Sequence, residues 1–133
     1  MIRMRCVVLL LIGVVPSTLA AAHSLQVPQA LHGGQAEAIG PYHAELVVSD
    51  GEVALYLNDR DNVAVSASAI KAKALVWTQE SSIELPLVPE KRNRLQARAD
   101  FAVAAVRRVV LTIDQEDQKP LQAWFVFGAR RKP

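Results

Sequence analysis

From Tyr42 onward, apolar and polar residues alternate with the period of two that belongs to a β-strand lying one face against a core. Tyr42, Ala44, Leu46 and Val48 share one face of the first run, and His43, Glu45 and Val47 share the other. Asp50-Gly51 separates this run from Val53, Leu55 and Leu57. That arrangement predicts a β-hairpin with a tight primed turn, because aspartate and glycine tolerate positive φ. A polar turn at Asn58 to Asn62 and a run of small residues to Ser68 lead to a second hairpin. In it Ile70, Ala72, Ala74 and Val76 alternate with Lys71, Lys73, Leu75 and Trp77, and Ile83, Leu85 and Leu87 follow the turn at Gln79 to Ser81. Pro86 has no N–H to give a ladder, so its strand is expected at a sheet edge or near its own end. Leu95, Ala97, Ala99 and Phe101 continue the pattern, as do Val109, Leu111 and Ile113. Past the polar stretch Asp114 to Pro120, Leu121, Ala123, Phe125 and Phe127 close a third hairpin.

Some seven short strands, with no long 3.6-residue period, predict an all-β fold: an antiparallel β-sandwich, Ig-like or a partly open barrel. Phe101 to Arg108 stays open between strand and helical turn, since Phe-Ala-Val-Ala-Ala-Val suits either. Leu46, Leu55, Ile83, Leu111 and Phe125 are the expected core. With 133 residues the chain has room for one domain. Its expected limits are 35–128, after a flexible arm at 23–34 that carries Pro28, Gly33 and Gly34, and before a disordered basic tail at 129–133.

The first 22 residues read differently. Arg3 and Arg5 form a positive start, Cys6 to Val15 is an apolar run, Pro16-Ser17 breaks it, and Ala20-Ala21-Ala22 supplies small residues for cleavage. This order predicts a secretory signal peptide and a periplasmic mature protein. An apolar run of that length is short for a bilayer of about 30 Å, and no later segment approaches the roughly 20 apolar residues a spanning helix needs. An uncleaved membrane anchor is the alternative.

Cleavage changes the charge. It removes Arg3 and Arg5, which takes Lys and Arg from 15 to 13, level with the 13 Asp and Glu. A neutral mature chain lacks the clustered cationic excess that nucleic acid requires. The one basic cluster, Arg130-Arg131-Lys132, is expected to be a solvated tail. Cys6 is the single cysteine, so the mature chain has no disulfide, thiolate metal site or cysteine nucleophile.

Catalytic templates are missing: no G-x-S-x-G elbow, H-E-x-x-H helix, phosphate loop or dinucleotide fingerprint occurs. The chain is therefore expected to be no enzyme. Trp77 and Trp124 fall on the outer face of their strands, where they either pack against the opposite hairpin or form a binding surface.

The three histidines, His23, His32 and His43, all lie near the start of the mature chain. Imidazole suits Cu(II), Ni(II) and Zn(II). Strand alternation puts His43 and Glu45 on one face, about 7 Å apart along the strand. A histidine of the arm can reach that pair. Cleavage after Ala22 leaves His23 with a free amine, and cleavage after Ala20 leaves Ala21-Ala22-His23. Either terminus chelates Cu(II). The competing reading leaves His23 and His32 solvated on the arm and His43 exposed on a polar face.

Several segments carry a resemblance: His32-Gly33-Gly34, Gly40-Pro41-Tyr42-His43-Ala44-Glu45-Leu46-Val47, and Gly51-Glu52-Val53-Ala54-Leu55-Tyr56-Leu57-Asn58-Asp59. The chain resembles small periplasmic β-domain proteins of proteobacteria that begin with H-G-G and an E-L-V strand, and is similar to segments of heavy-metal efflux adaptor proteins. The resemblance implies a periplasmic accessory protein in metal or copper handling; the partner expected beside it is an envelope efflux or oxidase complex. His32 and His43 carry over as candidate ligands. Both methionines, Met1 and Met4, lie in the signal, so a methionine site for Cu(I) is absent from the mature chain. Two functions follow as expectations: an accessory protein that binds Cu(II) or Zn(II) through His23, His32, His43 and Glu45, or a metal-free interaction domain that docks on an envelope complex.

Overall fold

A computed structural model describes residues 26–128. The expected signal peptide, His23 and the expected basic tail lie outside the described residues. The chain forms eight strands: β1 (Gln35–Ile39), β2 (Tyr42–Ser49), β3 (Glu52–Asp59), β4 (Ala72–Thr78), β5 (Ser82–Pro89), β6 (Arg94–Arg98), β7 (Val106–Ile113) and β8 (Leu121–Val126). They make one antiparallel sheet in the order β1-β2-β3-β6-β5-β4-β7-β8. The sheet curls until β1 approaches β8, giving a nearly closed, barrel-like all-β fold.

Alternation sets which side faces in. Ala44, Leu46, Leu55, Leu57, Val76, Leu95, Leu111 and Phe125 are buried together in one core, and Ile83 packs against it half-buried. The three predicted hairpins form as β2–β3, β4–β5 and β7–β8. The eighth strand, β1, was not predicted. Its sequence Gln-Ala-Glu-Ala-Ile has few of the bulky residues that favour strands, and it forms by pairing Gln35 to Ile39 with Leu46 to Tyr42.

Two local expectations are revised and one open segment is resolved. The β2–β3 loop has two residues, Asp50 and Gly51, but only Gly51 has positive φ, at 71°. Asp50 instead aims its carboxylate at the Val103 N–H, 2.8 Å away, so the loop is not a primed turn with both residues left-handed. Pro86 stands in β5, which is interior in the sheet order rather than at an edge. Its missing N–H causes no loss, because β5 meets β6 only at Val88 and Pro89 and has left that ladder at Pro86. The open segment 101–108 resolves as a short 3-10 turn at Val103–Ala105 followed by β7.

The seam of the barrel lies between β1 and β8. Gln35 Nε2 donates to Val126 O across it at 3.0 Å. Glu37 is paired with Ala44 and so shares its inward face, yet it is exposed. A charged residue at that register position on an edge strand opposes full pairing, which fits a seam bridged by a side chain.

Truncation at the core should separate from truncation on the surface. Leu111→Ala is expected to lose about 2 to 5 kcal/mol. Gln122→Ala, on the outer face of β8, should stay within about 0.5 kcal/mol of wild type. Urea midpoints measure both, and equal midpoints would refute the register.

Candidate functional site

The outer faces of β2, β3 and β6 carry a row of polar side chains set by register. Glu45 on β2 pairs with Tyr56 on β3, and Tyr56 pairs with Arg94 on β6. One strand period away, His43 pairs with Asn58. A row of this kind would ordinarily face water. Here His43 and Glu45 are buried, with Glu45 only 4% exposed.

The cover is residues 26–34, expected to run as a free arm. Leu31 to Gly34 instead turns over β2 and is held by the Glu45 carboxylate. Glu45 Oε1 accepts the Leu31 N–H at 2.9 Å and the His32 N–H at 3.1 Å. Glu45 Oε2 accepts the His32 N–H at 2.8 Å and the Gly34 N–H at 2.9 Å. The His32 ring completes the set, its Nδ1 lying 2.8 Å from Oε1. An ionised carboxylate only accepts, so Nδ1 is the donor.

The two glycines make this turn possible. Gly33 has φ of 77°, a left-handed conformation that side chains rarely adopt. Gly34 lies so close to β2 that an added Cβ would overlap the backbone carbonyl of Leu46. H-G-G is therefore a local device that brings successive N–H groups onto one carboxylate.

Electrostatics follow from this geometry. Burial alone would raise the Glu45 pKa, but the Gly34 N–H, the His32 side chain and the His32 N–H outweigh it and hold the carboxyl below its ordinary value. The His32 ring also stacks on Tyr56, with centroids 3.6 Å apart and planes 5° from parallel. Tyr56 Oη accepts from Arg94 Nε at 3.0 Å. Arg94 donates further to Glu52 Oε1 at 2.6 Å, to Gln96 Oε1 at 2.8 Å and to Glu90. Burial lowers the Arg94 pKa, but the acceptors Tyr56 and Glu90 raise it by more, so the guanidinium stays charged. A continuous chain thus runs from the N-terminal turn through Glu45, His32, Tyr56 and Arg94 to β6.

His43 belongs to a second contact. Its Nδ1 lies 2.7 Å from Asn62 Oδ1, and Asn62 Nδ2 reaches Gln26 Oε1 at 3.3 Å. Asn62 holds this position from the left-handed region, with φ of 61°.

Of the candidate ligands, the structure therefore brings His32 and Glu45 together and turns His43 to Asn62 instead. His23 lies outside the described residues. Among the described residues, no three His, Cys, Asp or Glu side chains form a group that could hold a metal ion. Both Glu45 oxygens are occupied by N–H donors, so the carboxylate acts on the turn and orients His32 rather than standing open as a ligand. Tyr56, Arg94 and Asn62 were not singled out from sequence. Alternation does place Tyr56 on the Glu45 face, which is the signal that could have found it.

The two tryptophans sit on the other half of the barrel. On the outer faces of β4, β7 and β8, register aligns Trp77, Arg108 and Val126 in one row and Leu75, Val110 and Trp124 in the next. Trp124 is 55% exposed, Val126 61% and Trp77 39%. Neither tryptophan is buried against an opposite hairpin. A depression of about 190 Å³ lined by Lys73, Leu75, Glu84, Val110, Thr112 and Gln122 continues this face.

No known family matches the chain, and no curated protein or solved structure does either.

The lowered Glu45 pKa gives a pH test. A carboxyl that titrates lower when folded adds stability above its unfolded pKa, and that stability disappears as pH falls through the folded value. Glu45→Gln should cost about 2 kcal/mol near pH 7, given charged hydrogen bonds of roughly 1.5 to 3 kcal/mol each and partial replacement by water. The gap to wild type should narrow below about pH 4. Urea unfolding across pH measures it, and a gap that stays constant would refute the clamp.

Proposed function

We propose that the mature chain is a non-enzymatic interaction domain of the bacterial periplasm that docks on an envelope protein complex through the outer face of β4, β7 and β8. The observation that carries this reading is the exposure of Trp124 and Val126 beside Trp77 on one contiguous sheet face. Folded domains seldom leave such side chains together in water, and tryptophan and arginine dominate the energetics of protein interfaces. The periplasmic assignment rests on Arg3, Arg5, the apolar run Cys6 to Val15 and the Ala20-Ala21-Ala22 site. The non-enzymatic assignment rests on the lack of a catalytic template in the sequence.

A second reading, Cu(II) or Zn(II) binding in metal handling or efflux, is favoured by one observation. His32 Nδ1 is fixed on the Glu45 carboxylate, and metal-binding histidines are commonly oriented in this way through the nitrogen that does not bind metal. It needs further ligands, and His23 with a processed amine is the sequence's candidate.

In cells, a photocrosslinking residue at position 124 should give a discrete protein adduct that Trp77→Ser abolishes, and the same probe at Lys119 in the β7–β8 turn should give none. Absence of the adduct, together with micromolar Cu(II) binding lost in His32→Ala, would replace the docking reading with the metal reading.

A further inference from the structure

The two halves of the barrel treat their arginines in opposite ways. On the β2-β3-β6 half, Arg94 is met by Glu52, Glu90, Gln96 and Tyr56. On the β4-β7-β8 half, Arg108 lies with its guanidinium carbon 5.3 Å from the centroid of the Trp77 ring. Among the described residues it makes no ion pair and no side-chain hydrogen bond. Its neighbour Arg107 donates to the backbone carbonyls of Ala104 and Val106, at 3.1 and 3.4 Å, and pairs with no described carboxylate.

The face offers Arg108 no acid of its own. On the outer faces of β4, β5, β7 and β8 the one carboxylate is Glu84, which pairs with Lys73 at 3.4 Å. The docking face is therefore aromatic and apolar with an uncompensated positive charge set between Trp77 and Val126.

We propose that the occupant of this face is an acidic protein segment, one that places an aspartate or glutamate on Arg108 while its apolar side chains cover Trp124 and Val126. The proposal rests on the docking reading above and names the partner's chemistry. The cation–π contact with Trp77 occupies one side of the guanidinium, and with no side-chain partner among the described residues its N–H donors are available to a carboxylate, which a guanidinium matches in a two-bond fork. A second copy of this chain fits less well, since a like face would offer Arg108 only Glu84, which already pairs with Lys73.

The test uses the full chain exported by its own signal, with the photocrosslinking residue at position 124. Arg108→Glu should reduce the adduct about tenfold or more, as loss of a hydrogen-bonded charge pair at an interface does. Exchanging the partner's aspartate or glutamate in the cross-linked segment for arginine should restore it. An adduct unchanged by Arg108→Glu, or a cross-linked segment without acidic residues, would overturn the acidic assignment and leave docking intact. Loss of every adduct from position 124 would overturn docking as well. Phosphatidylcholine vesicles with and without phosphatidylglycerol supply the remaining arm: sedimentation of the purified protein only with the anionic vesicles, and lipid adducts in place of protein ones, would assign the face to a membrane and overturn the proposal.

Discussion

A carboxylate removed from water must be surrounded by donors, and in this protein Glu45 meets that requirement with the backbone of the chain's own N-terminal segment. The constraint works in both directions. Without Leu31 to Gly34, the outer face of β2 would carry its acid in solvent. Without Glu45, three N–H groups of that turn would have no protein acceptor. The clamp explains why His32 stacks on Tyr56, and through Tyr56 why Arg94 is drawn into the same network. It also explains why Gly33 and Gly34 stand together, one for its backbone conformation and one for its close approach to β2.

That clamp divides the exterior of the barrel. The β2-β3-β6 side is covered by a segment of the chain and its charges are answered internally. Among the described residues the β4-β7-β8 side has no such cover, and Trp124, Val126 and the Trp77–Arg108 pair remain at the surface. Both sides enclose the same core of leucine, valine and Phe125, so the contrast does not arise from packing inside. It arises from which strand face received a carboxylate near a glycine turn.

Alternation made most of this architecture readable. Leu46, Leu55, Leu111 and Phe125 lie inward as the period of two requires, and all three hairpins pair as expected. β1 escaped because Gln-Ala-Glu-Ala-Ile has weak strand character and becomes a strand through its partner. Pro86 misled because a strand can be interior in the sheet and still leave one ladder early. His43 and Glu45 show where pattern reading ends. The period gives the face of a side chain but not what lies over that face, and the cover here comes from residues 26–34, whose sequence has no period. The pairing of H-G-G with Glu45 was therefore visible only as two separate features.

Amide hydrogen exchange tests the clamp most directly. If Glu45 holds the N-terminal segment on the barrel, the amides of Leu31, His32 and Gly34 exchange slowly in the wild-type protein. In Glu45→Gln they should exchange at rates near those of an open chain, while amides of β7 keep their protection. Rapid exchange of these three amides in the wild-type protein, or equal protection in Glu45→Gln, would contradict it.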